Sequence, residues 1–106
     1  MPAARELAIP IPHERIAEFC RKWGIRKLSF FGSVVRDDFD PERSDVDVLV
    51  EYQVGTDTGL FDIIHAEQEL SRVLGRKVDL VDSVELRASL KPYVLSELVE
   101  EYVEEG

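Results

Sequence analysis

Ile16, Phe19, Cys20 and Trp23 recur at helical steps through "PHERIAEFCRKWG", with charged residues between them. That spacing predicts an amphipathic helix, with Pro12 suited to its first turn and Gly24 to its stop. "RKLSFF" then reads as a short apolar and aromatic strand running straight into Gly32-Ser33. Ser33 to Asp38 can form a short helix, and "DPERS" carries the turn residues Asp40, Pro41 and Ser44. "DVDVLVEY" follows as a strand. Its alternation puts Val46, Val48, Val50 and Tyr52 on one face and Asp45, Asp47, Leu49 and Glu51 on the other.

Beyond the loop "QVGTDTG", the segment "LFDIIHAEQELSRVLGR" repeats Phe61, Ile64, Leu70 and Leu74 as a second helix, ended by Gly75. "KVDLVD" is a third strand, and Asp82-Ser83 with Glu85 reads as the cap of a helix through about Leu90, broken at Pro92. The tail "YVLSELVEEYVEEG" starts as a helix, whereas Val99 to Val103 fits either a helix or an edge strand. Alternating strands and helices predict an α/β domain with a small mixed sheet flanked by helices.

Length and charge narrow the function. The 106 residues suit one domain over 1–106, with its motifs at about 30–81 and no internal repeat. Thirteen basic against twenty-two acidic residues give a net charge of −9, which argues against a stable nucleic-acid partner and fits, without demonstrating, bound divalent cations. The single Cys20 forms no internal disulfide, and no window resembles a secretory leader or a membrane span. The expectation is a cytoplasmic protein.

Two features then carry chemistry. A Gly-Ser pair between strand and helix lets backbone amides and a hydroxyl approach phosphate, although ordinary turns contain such pairs too. Asp45 and Asp47, two positions apart on one strand face, lie about 6.5 Å apart at the backbone. Their carboxylates are hard oxygen ligands of the kind magnesium takes. A solvated strand face would also explain them, but aspartate is a poor strand former and like charges on one face repel. Asp79 in "KVDLV" is a third acid within an apolar strand. It is preferred to Asp82 as the third carboxylate, because Asp82 sits where a helix cap is needed. Three such carboxylates facing a phosphate-binding turn make the apparatus of two-metal phosphoryl transfer.

With Gly32-Ser33, eleven intervening residues, Asp45-Val46-Asp47 and the later Asp79, the chain resembles the DNA polymerase beta-like nucleotidyltransferase superfamily. "FGSVVRDD", "SDVDVLVEY" and "GRKVDLVD" are similar to its minimal nucleotidyltransferases of the MntA type. The resemblance implies the polymerase beta-like palm fold, with Asp45, Asp47 and Asp79 as catalytic metal ligands, about two magnesium ions, and ATP as substrate. Nucleotide contacts are implied for Gly32, Ser33, Arg36 and Ser44. Many members read Ala-Arg-Gly where this chain has Val35, Arg36 and Asp37, which adds bulk and an acid near the phosphate site.

A domain this small leaves acceptor recognition to another protein. Minimal members are typically antitoxins paired with an HEPN-domain ribonuclease toxin, which they silence by adding AMP to a tyrosine. The resemblance therefore implies a protein adenylyltransferase in a hetero-oligomer, with a homodimer as the alternative state alone. Two other functions remain open: a non-catalytic antitoxin that acts by binding, and a small-molecule nucleotidyltransferase, which the absence of room for an acceptor pocket disfavours. Cys20 and Trp23 read as core, His13 and His65 as isolated, and Glu100, Glu101, Glu104 and Glu105 as a solvated or partner-facing end.

Overall fold

A computed structural model describes residues 9–35, 39–40, 42–84 and 97–104. Its elements are helix α1 (His13–Trp23), strand β1 (Ile25–Phe31), a one-turn 3-10 helix (Gly32–Val35), strand β2 (Val46–Tyr52), helix α2 (Leu60–Leu74), and strands β3 (Val78–Asp82) and β4 (Val99–Val103). The open choice at Val99 to Val103 resolves as strand. The helix expected after the Asp82-Ser83 cap starts at Ser83 and Val84, and its continuation to about Leu90 and its break at Pro92 lie outside the described residues.

The sheet order is β3-β2-β1-β4. β1 runs antiparallel to both β2 and β4, whereas β2 and β3 are parallel. This is the expected mixed sheet, and both helices pack on one of its faces. Ile16, Phe19 and Cys20 of α1 and Ala66 and Leu70 of α2 are buried with Leu28, Phe30, Val46, Val48, Val50, Val78 and Leu80. The alternation read in β2 therefore selects the helix-facing side correctly. On the opposite face, Phe31 and Leu49 form a smaller apolar cluster with Val81 and Leu98. Leu49 shares the face of the two aspartates yet is buried, because the side chains of Phe31, Val81 and Leu98 pack around it.

The second helix corrects the sequence reading. The repeat read from the sequence groups Phe61 and Ile64 with Leu70, but they are 75% and 40% exposed while Leu70 is fully buried. Phe61 and Leu70 lie about two and a half turns apart at 3.6 residues per turn, so they point to opposite sides. The inward stripe is Ile63, Ala66 and Leu70, with Val73 and Leu74 packed beside it. Pro12 likewise precedes the first turn of α1 rather than lying within it.

α2 also fixes the edge of the sheet. The Val78 amide donates to Ser71 Oγ at 3.1 Å, and the Leu80 amide donates to Glu67 Oε2 at 2.9 Å. These side chains satisfy outward backbone donors that an edge strand leaves open. They hold β3 in one register, which sets the position of Asp79. At the other edge, the described members of the acidic run engage the domain itself. Glu100 pairs with Lys27 at 2.6 Å, Glu101 contacts His13, and Glu104 accepts from Gln53.

Candidate active site

β1 ends where β2 and β3 begin, so one end of the sheet gathers the residues singled out in the sequence. Phe31 pairs with Asp47 across the β1–β2 ladder, and Asp47 pairs with Asp79 across the parallel β2–β3 ladder. Partners in register on adjacent strands lie about 4.8 Å apart and point to the same face. Asp47 and Asp79 therefore stand side by side, opposite the helices. Asp47 is half-buried and Asp79 exposed.

Asp45 precedes β2 by one residue and is also half-buried. Its carboxylate lies 3.8 Å from Lys77 Nζ, while the Val46 amide donates to the Lys77 carbonyl at 2.9 Å. The cation thus offsets part of the acidic charge at this end. The sequence signal for it was available, since Lys77 leads directly into the strand of Asp79, but the β2–β3 pairing was needed to place it beside Asp45.

Gly32 follows Phe31 with φ +75°, and a Cβ there would strike the Asp47 carboxylate, with Asp47 Cγ only 3.1 Å away. Two requirements therefore converge on glycine: the left-handed backbone, and the space taken by a candidate metal ligand. Val34 and Val35 of the following turn are buried, which anchors it and leaves Ser33 as a half-exposed hydroxyl beside Gly32.

Ser44 has a loop-closing role. Its Oγ accepts from the Asp40 amide at 2.9 Å, and its own amide donates to the Asp40 carbonyl at 2.8 Å. Arg36 and Asp37 lie outside the described residues. Asp82 Oδ1 accepts from the Val84 amide at 2.9 Å, the turn-forming role that set it behind Asp79.

Among the described residues, no three His, Cys, Asp or Glu side chains converge closely enough to chelate an ion unaided. Magnesium often takes one or two carboxylates and completes its shell with phosphate oxygens and water. The donor set of Asp45, Asp47 and Asp79 fits such an ion, because all three are hard oxygen ligands at one end of adjoining strands. This acidic, partly exposed end of the sheet is suited to a hydrated cation rather than to an apolar ligand.

A separate cleft of about 370 Å³, lined by Glu51, Tyr52, Thr56, Thr58, Asp82, Ser83 and Val84, lies at the opposite end of β2 and β3. There burial, with the charges of Asp82 and Asp62 adding to it, pushes the Tyr52 phenol up to about 12. That hydroxyl stays protonated and lies away from the paired aspartates. Among the described residues, no helix is long and apolar enough to cross a membrane.

A mixed sheet that brings paired aspartates to a glycine-serine turn has the layout of a phosphoryl-transfer domain. The chain belongs to the nucleotidyltransferase domain family, which matches residues 14–104. It is 37% identical over 82 residues to the protein adenylyltransferase MntA of Thermococcus cleftensis, covering 77% of this chain and 80% of that one. It is 35% identical over 86 residues to MJ0435 of Methanocaldococcus jannaschii, provisionally named a protein adenylyltransferase, covering 81% and 89% of the two chains. Among solved structures, one chain of an MntA-HpeT toxin-antitoxin mutant superposes with a TM-score of 0.70 at 18% identity, covering 90% of this chain and 76% of its own. That likeness shows the fold.

Proposed function

We propose that this chain is a Mg²⁺-dependent protein adenylyltransferase that moves AMP from ATP to a protein acceptor, as the antitoxin of an HEPN-domain toxin. The observation carrying the reading is the side-by-side placement of Asp47 and Asp79, with the Gly32 backbone held against the Asp47 carboxylate. The adenylyltransferase name of the Thermococcus relative supports the reaction. A structural neighbour that pairs a tri-AMPylated HEPN toxin with an MNT antitoxin supports the choice of partner.

In the proposed reaction, an acceptor hydroxyl oxygen bonds to the α-phosphorus of ATP, the bond from that phosphorus to the bridging oxygen breaks, and pyrophosphate leaves. Asp45, Asp47 and Asp79 would hold Mg²⁺, which neutralises phosphate charge and favours the ionised acceptor hydroxyl. The Gly32 amide and Ser33 hydroxyl donate to phosphate oxygens and orient the chain of phosphates. Asp79, the most exposed of the three acids, faces the side open to an acceptor and helps to activate its hydroxyl. Arg36 is assigned to phosphate or the acceptor on the family resemblance.

Mass spectrometry of the HEPN toxin after co-expression tests the reading. One or more AMP units should appear on the toxin, and Asp45→Asn, Asp47→Asn or Asp79→Asn should abolish them while the domain stays folded. Asp82→Asn should retain transfer, since asparagine still accepts from the Val84 amide. Silencing of the toxin without a mass increase would overturn the enzyme in favour of a binding antitoxin.

A further inference from the structure

Gly32 lies between two carboxylates. Asp47 is on one side, close enough to exclude a side chain from Gly32. On the other side, the β1–β4 ladder pairs Phe30 with Val99, and continuing that register by two residues brings Glu97 opposite Gly32. The Gly32 amide donates to Glu97 Oε1 at 3.2 Å. The adjoining Leu98 packs with Phe31 and Leu49, so Glu97 is delivered from an anchored segment.

We infer that Glu97 occupies the phosphate subsite when nucleotide is absent, and that the triphosphate must displace it to reach the Gly32 amide. This rests on the nucleotidyltransferase reading, because it assigns that amide to phosphate. A backbone amide carries one proton, and a charge-assisted bond to a carboxylate is stronger than a neutral one. Phosphate therefore competes with a tethered anion for the donor. Where both remain, their like charges repel. Glu97 keeps the Gly32 donor satisfied before nucleotide arrives, and it weakens nucleotide binding as a result. Sequence reading missed this residue because Glu97 is remote from the glycine-serine turn in the chain, and only the β1–β4 pairing brings them together.

Titration of the full chain with AMP-PNP in Mg²⁺, followed by calorimetry, tests the inference. Glu97→Ala should tighten binding about tenfold, the scale of one charge-assisted hydrogen bond. Glu97→Gln, close to isosteric, keeps an acceptor but loses the charge, and should tighten binding by a smaller factor, about threefold. In amide NMR spectra of the nucleotide-free protein, the Gly32 resonance should move in both variants, and in the wild type it should move on addition of AMP-PNP. Equal or weaker affinity in both folded variants would overturn the inference while leaving the nucleotidyltransferase reading intact. If neither wild type nor variants bind AMP-PNP, the nucleotide assignment of the Gly32 amide falls, and the inference falls with it.

Discussion

Replacing Gly32 with alanine tests the structure of the site directly, because two separate costs meet at that position. A side chain at φ +75° places the residue in the left-handed region, which costs about 1–2 kcal/mol for a residue with a Cβ. The new methyl also meets Asp47, whose Cγ and Cβ would lie 3.1 and 3.3 Å from it. The carboxylate can swing away at an off-rotamer cost of about 0.5–1.5 kcal/mol. Together these predict a loss of about 1.5–3.5 kcal/mol in urea unfolding, which a domain of ordinary stability survives.

The functional cost is larger than the stability cost. Moving a catalytic group by about 1 Å costs roughly 100-fold in rate, so AMP transfer should fall by at least about that factor. Gly75→Ala provides the control. Gly75 has φ +68° but, among the described residues beyond its chain neighbours, no atom within 4 Å of its would-be Cβ. It should lose only the backbone contribution of about 1–2 kcal/mol and keep full transfer. If Gly32→Ala is no less stable than Gly75→Ala and transfers AMP at the wild-type rate, the Asp47 carboxylate does not work from its position against Gly32.

Two further predictions concern the core. Leu70→Ala should lower unfolding free energy by about 2–5 kcal/mol, whereas Phe61→Ala should change it by less than about 0.5 kcal/mol; similar losses at both sites would place the inward face of α2 incorrectly. Burial, followed by the charge of Glu101, pushes the Cys20 thiol from 9.0 up to about 12. Cys20 remains a protonated thiol in the native state near pH 9, and its contribution to stability, complete below that pH, is lost as pH rises towards about 12. Urea midpoints measured between pH 8 and 11, as about the accessible window, should therefore decline less steeply in Cys20→Ala than in wild type. Equal slopes would refute the burial argument. Native Cys20 should also resist a thiol-reactive dye that labels it readily after unfolding.

Much of the site was legible because local physics constrains it. An aspartate pair alternating with valines fixes its own face, since side chains in a strand repeat every second residue. The capping role of Asp82 could also be read locally, from its place at the start of a turn. Helical phase in α2 was less legible: Phe61, Ile64 and Leu70 are all apolar, and only the docked helix shows which stripe is inward.

By itself the sequence determined the order of elements, the helix-facing side of β2 and the residue types suited to phosphate and magnesium. These follow from periodicity and from side-chain chemistry, both of which act over a few neighbouring residues. Tertiary structure alone decided that Asp79 stands beside Asp47, that Lys77 reaches Asp45, and that Glu97 holds the Gly32 amide. Those contacts depend on strand order and register, which arise when separate apolar faces are buried together and which no local pattern encodes.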